Sequence, residues 1–141
     1  IEGTQQSGIA LDLKIASLSH DEQLLEYVRN VAREIVDADP EMVEYAAKAG
    51  ADRVELYTEP YATLFPKNPD AAIAPFVEAA KAARKYGLGL NAGHDLSLKN
   101  LQFFYQHIPW TDEVSIGHAL ISDALYLGLE QTIKEYKKCL R

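Results

Sequence analysis

The 141-residue chain is one domain's worth of sequence, and its 48% hydrophobic and 25% charged residues are the ordinary balance of a soluble globular protein. A net charge of −7, with 14 basic against 21 acidic residues, disfavours binding to a phosphate backbone, and no stretch approaches the roughly 18 consecutive apolar residues of a membrane span. The single cysteine, Cys139, excludes a disulfide framework, so the expectation is a cytoplasmic protein with neither nucleic acid nor membrane as a partner.

In chain order, Ile1–Glu2–Gly3–Thr4 lacks an initiator methionine and the basic and apolar regions of a targeting signal, and reads as cut or trimmed. Ile9–Ile15 is rich in Ile, Leu and Ala without a clear period and fits either a strand or a turn of buried helix. The next pattern is clearer. Ser19 can cap, Glu22 follows three residues on, and Leu24, Leu25, Val28, Val31, Ala32 and Ile35 recur at helical spacing, predicting an amphipathic helix over about residues 21–34. Residues 1–35 are set apart as an atypical N-terminal segment of the same single domain.

Asp39–Pro40–Glu41 is a strong helix start: the Asp side chain can accept from a free N–H, the proline loses nothing at the first helical position, and an early acid suits the helix dipole. Val43, Ala46, Ala47 and Ala49 follow, and Gly50 is placed to end the helix in the left-handed conformation. Arg53–Thr58 then alternates with a period of two, predicting a strand that carries Glu55 on the face opposite Val54 and Leu56.

The unit repeats. Asn68–Pro69–Asp70 starts a helix with Ile73, Phe76, Val77, Ala80 and Ala83 on one face, Gly87 ends it, and Leu88–Asn91 is the next strand. A polar loop follows each strand. Ser97 or Asp95 caps a third helix through Leu98, Leu101, Phe104 and Tyr105, with Pro109 as its stop and Glu113–Ile116 as the following strand. One final helix is expected from about Ala119 to Lys138, with Lys134, Lys137 and Lys138 near its C-terminal end. Helices alternating with short apolar strands predict an α/β fold, a parallel sheet covered by helices. The chain is nevertheless short for a closed eight-stranded α/β barrel, which takes roughly 200 residues or more.

Two stretches carry the chemistry, Leu88–Asp95 and Val114–Ala119, and each ends a strand in a Gly-His pair. In parallel α/β sheets, binding groups gather beyond the carboxyl ends of the strands, which is where both pairs fall. Gly117 lets backbone N–H groups approach a ligand, and the helix opening at His118–Ala119 turns its positive end to the same place, which suits a phosphate. The plainer alternative is that His94 and His118 are hydrogen-bonded structural residues and Gly93 and Gly117 serve tight turns. His20 and His107 read as solvated surface. Glu55 faces either a barrel lumen or a covering helix; a desolvated lumen carboxylate suits proton transfer, whereas a half-buried one can simply pair with Arg53 or Lys48. A zinc site of His94 and His118 with Glu55 or Asp95 is conceivable, but no pair of these ligands has short metal-binding spacing, so no metal is expected.

At these residues the sequence resembles the pyridoxine 5′-phosphate synthase family. The similarity runs from about Val36 to Arg141 through Asp39–Pro40–Glu41–Met42–Val43, Ala49–Gly50–Ala51–Asp52–Arg53–Val54–Glu55–Leu56–Tyr57–Thr58, Leu90–Asn91–Ala92–Gly93–His94–Asp95–Leu96 and Ile116–Gly117–His118–Ala119–Leu120–Ile121. The resemblance implies the C-terminal half of a (β/α)8 TIM barrel. It also implies condensation of 1-deoxyxylulose 5-phosphate with 3-amino-2-oxopropyl phosphate, releasing phosphate and water, with no organic cofactor. By the same resemblance His94 is a catalytic acid/base, Glu55 stabilises a transition state, Asp95 contributes to binding the aminoketone phosphate, chiefly through its backbone, and Gly117 and His118 hold the phosphate end through backbone N–H groups. The family's first half, with a further catalytic histidine and glutamate, is absent, so the chain alone is expected to be inactive. An open half-barrel exposes strand edges, and a homo-oligomer is expected to cover them. The rival reading is a non-catalytic half-barrel or engineered scaffold that keeps only the phosphate-binding loop pair.

Overall fold

The computed structural model describes residues 34–141. The uncertain run at residues 9–15 and all but the last residue of the helix expected over 21–34 lie outside them. That last residue, Glu34, opens a strand, β1 (Glu34–Val36), instead of ending the helix.

Helix α1 (Pro40–Ala49) begins where the sequence places it: the Asp39 carboxylate accepts from the Glu41 N–H at 2.9 Å, and Gly50 closes the helix at φ 88°. Strand β2 (Arg53–Leu56) follows and is two residues shorter than expected, because Thr58 already caps a helix. That helix, α2 (Glu59–Leu64), stands where a polar loop was expected. Its six residues are too few to show a period, but Pro60 suits a first turn, and Tyr61 is wholly buried.

Helix α3 (Pro69–Tyr86) is capped by Asn68, whose side chain accepts from the Ala71 N–H at 3.1 Å, and ends at Gly87 with φ 72°. Strand β3 runs Gly89–Gly93, so it reaches the first glycine-histidine pair rather than stopping at Asn91. Helix α4 (Leu101–His107) starts later than either expected cap, after a turn in which the Asn100 and Leu101 N–H groups both donate to the Ser97 carbonyl. Strand β4 is Glu113–Ser115. The single terminal helix is in fact two, α5 (His118–Leu127) and α6 (Leu129–Lys138), broken at Gly128, whose φ of 78° and ψ of 146° no helix accommodates. Among the described residues no helix is long and apolar enough to cross a membrane.

The four strands form one parallel sheet in consecutive order, β1-β2-β3-β4, with Val54 opposite Leu90 and Glu55 opposite Asn91. Period-two alternation therefore sorts the sheet. Val54, Leu56, Leu90 and Ala92 bury one face against the helices, while Arg53, Glu55, Asn91 and Gly93 share the other. On the helix side, small residues Ala72, Ala79, Ala80 and Ala83 bring α3 close to the sheet, and Tyr61, Phe76 and Phe104 meet edge-on with centroids 5.3–5.9 Å apart. Each such aromatic pair contributes about 0.5–1.5 kcal/mol beyond its buried area. The far end of the chain is packed differently: α5 buries no residue fully, and Leu125 and Tyr126 are 82% and 91% exposed.

Candidate active site

The sheet brings the expected site residues to one end. The Gly93–His94–Asp95 corner leaves β3 beside the end of β4, where the His94 N–H donates to the Ser115 carbonyl at 2.8 Å. Two residues after Ser115 the chain turns at Gly117 into α5, and the rings of His94 and His118 lie 5.9 Å apart, edge to face. Both histidines are exposed. Glu55 reaches the same place from β2: a β-carbon added to Gly93 would sit 3.0 Å from Glu55 Oε1. Glu55, His94, Asp95, Gly117 and His118 are thus gathered at the carboxyl ends of three neighbouring strands, whereas His107 lies apart on α4, its ring against Phe103 and its Nδ1 at 2.8 Å from the Phe103 carbonyl.

The two glycines serve different needs. Gly93 lies within the strand, not in a turn, and any side chain there would run into the Ser115 carbonyl oxygen and its β-carbon. Its absence of a side chain is what lets β3, β4 and the Glu55 carboxylate close up. Gly117 has open space around it and precedes a helix whose first turn has no side-chain cap, so backbone N–H groups face outward there.

His94 occupies a conformation that L-residues avoid, φ 49°, and is the non-glycine residue with positive φ among those described. The Asp95 N–H donates to the Gly93 carbonyl at 2.7 Å, closing a three-residue turn with His94 at its apex. Its Nδ1 lies 3.2 Å from Asp95 Oδ1, while Asp95 Oδ2 is buried without a hydrogen-bond partner. Strain of this kind persists only where the surroundings impose it, and it collects at functional sites.

Beneath this corner is a polar layer that sequence reading passed over. Arg53 Nη1 donates to Asn91 Oδ1 at 2.7 Å and lies 3.7 Å from Glu113; Lys48 pairs instead with Glu44 on its own helix, α1, at 2.6 Å. Asn91 is fully buried, with Nδ2 unpartnered. Thr58, also buried, reaches the corner itself: its hydroxyl donates to the Gly93 carbonyl and accepts from the Asp95 N–H at 3.3 Å. Asn100 holds the next residues, accepting from the Ser97 N–H at 2.8 Å and donating to the Asp95 carbonyl at 3.3 Å, and Tyr61 donates to the Asn100 carbonyl at 2.7 Å. Burial holds the Tyr61 hydroxyl well above the ordinary tyrosine range, so it stays a donor. Thr58 and Asn91 read as ordinary strand residues in sequence; the register sets Asn91 beside Glu55, and Thr58 reaches the His94 corner from beyond the end of β2. Among the described residues there is no group of three or more His, Cys, Asp or Glu side chains that could hold a metal ion.

The profile of the family described as pyridoxal phosphate biosynthesis protein PdxJ matches residues 2–141. The chain belongs to the PdxJ family. The match begins well before Val36, where the motifs begin to be recognisable. Relatives named pyridoxine 5′-phosphate synthase include one from Bacteroides thetaiotaomicron, 84% identical over 106 residues, covering 75% of this chain and 45% of the relative. Another, from Cytophaga hutchinsonii, is 55% identical over 131 residues, covering 89% of this chain and 55% of the relative. A third, from Christiangramia forsetii, is 53% identical over 122 residues, covering 85% and 52%. This PdxJ chain spans about half the length of the curated relatives it matches.

Proposed function

We propose that this chain is the C-terminal half of a pyridoxine 5′-phosphate synthase and carries the aminoketone-phosphate side of its active site. The observation that carries the reading is the convergence of His94, Glu55 and the open N-terminus of α5 at one end of the sheet. In this reading the phosphate of 3-amino-2-oxopropyl phosphate sits on the backbone N–H groups of Gly117 and His118, where the helix dipole favours its charge. His94 stands beside it and transfers protons as the amine condenses with the ketone of 1-deoxyxylulose 5-phosphate and water leaves. The Glu55 carboxylate faces the positive charge that builds up on the condensing nitrogen. Asp95 contacts the substrate through its backbone and orients the His94 ring.

The sheet is half of a (β/α)8 barrel in this account. Four parallel strands in unbroken consecutive order follow the barrel's sequence of strands, whereas doubly wound sheets reverse direction at a switch point. Residues 36–141 form the half-barrel, with 1–35 in the same domain. The polar face of Arg53, Glu55, Asn91 and Gly93 becomes lumen, and the exposed apolar side chains of α5 mark where further chain or a second copy packs, consistent with a homo-oligomer. The site takes phosphorylated small molecules and inorganic phosphate, in the cytoplasm. The isolated chain does not turn over, because the proton-transfer groups of the other half are needed with His94.

A chimera tests this. Residues 36–141 replace the matching half of the Bacteroides thetaiotaomicron enzyme. Turnover within about 10-fold of that enzyme, falling at least about 100-fold with His94→Ala, is the expected result. A folded but inactive chimera contradicts the reading, as does turnover by the 141-residue chain alone.

A further inference from the structure

Thr58 is the N-cap residue of α2, where a threonine hydroxyl ordinarily accepts from an N–H of its own first turn. It makes no such bond. The hydroxyl has one proton to donate, and that goes to the Gly93 carbonyl, on a strand 35 residues further along. One of its lone pairs accepts from the Asp95 N–H, 37 residues further along. The residue between those two peptide groups is His94. Thr58 is only 1% exposed, so water does not compete for either bond.

We propose that Thr58 is a positioning residue that holds His94 in its left-handed conformation by gripping the peptide groups on both sides of it. The Asp95 N–H is shared between the Gly93 carbonyl at 2.7 Å and the Thr58 oxygen, so the threonine closes the same turn that the backbone bond closes. Without the hydroxyl, the Gly93 carbonyl loses a buried donor and the corner loses the bond that ties it to the start of α2, and φ at His94 relaxes to the ordinary negative range. The ring then leaves its place 5.9 Å from His118. The role of Thr58 in the reaction rests on His94 being the proton-transfer group; its role in the geometry does not.

The test is NMR on the labelled 141-residue chain and two variants. Positive φ gives a strong intraresidue amide-to-Hα cross-peak. The unmodified chain and Thr58→Ser, which keeps the hydroxyl, are expected to show it at His94, and Thr58→Val, of nearly the same volume, to lose it while unfolding in one cooperative transition. A folded Thr58→Val chain that keeps the cross-peak overturns the proposal, because a threonine that only stabilised the fold would lower the melting temperature and leave His94 unmoved. Should Thr58→Val not fold, the unmodified chain decides. A Thr58 hydroxyl proton protected from exchange, with a cross-peak to the Asp95 amide, supports the grip; one exchanging like that of an exposed threonine, or protected without that cross-peak, overturns it. None of these readouts uses turnover, so they stand apart from the enzymatic reading, which the chimera tests.

Discussion

The two Gly-His pairs are the same dipeptide in two different physical settings. Gly93–His94 is built into the sheet: the glycine is a packing requirement, and the histidine, at φ 49°, sits between a bond from the Thr58 hydroxyl at the start of α2 and one to the Ser115 carbonyl of β4. Gly117–His118 opens a helix into free space, with an ordinary negative φ of −105° and no side-chain cap. One pair is held and the other is open. A held residue suits proton transfer, which needs fixed geometry, and an open helix end suits an anion that must arrive from solution.

The contrast is sharpest at the glycines. Gly93→Ala puts a methyl group into a backbone carbonyl and is expected to cost about 3 kcal/mol by chemical denaturation, at the upper end of overpacking penalties. An effect below about 1 kcal/mol would mean the corner is looser than its geometry. Next in size is Asn91→Ala, which removes a buried amide and leaves Arg53 short of an acceptor. We expect a loss of about 1–2 kcal/mol, read from the same denaturation midpoint. His94→Gly runs the other way: releasing the left-handed strain should stabilise the chain by about 0.5–1 kcal/mol after the entropy of glycine is counted, while the chimera loses activity. A destabilised His94→Gly would show that the ring, and not the bonds around it, holds the corner. Smallest in stability is Gly117→Ala, within about 0.5 kcal/mol of the parent, yet weakening phosphate binding several-fold because the methyl group stands in the open approach to the N–H groups.

Much of the frame was legible because local signals carried it. The Asp39 and Asn68 caps, the Gly50 and Gly87 stops and the alternation of Arg53–Leu56 all act within a few residues of themselves, and the structure uses each as written. The terminal helix was misread because Leu127–Gly128–Leu129 continues an apolar period that a single left-handed glycine interrupts. Helix α2 was hidden by its shortness, and its anchor is tertiary: Tyr61 is held by Phe76 of α3 and by Phe104 and the N-cap residue Asn100 of α4. At the site, glycine and helix polarity were enough to place His94, Gly117 and His118 together. Thr58 and the strain at His94 were not readable, since both are seen only in tertiary contacts, with the Thr58 bonds spanning 35 residues or more.

Titration of the labelled chain with inorganic phosphate, followed residue by residue in ¹H–¹⁵N spectra, tests the central claim that the held pair and the open pair form one phosphate site. Saturable shifts at both Gly117–His118 and Gly93–Asp95, fitting a single Kd, are the predicted result. Shifts confined to one corner, or none at either, would contradict it.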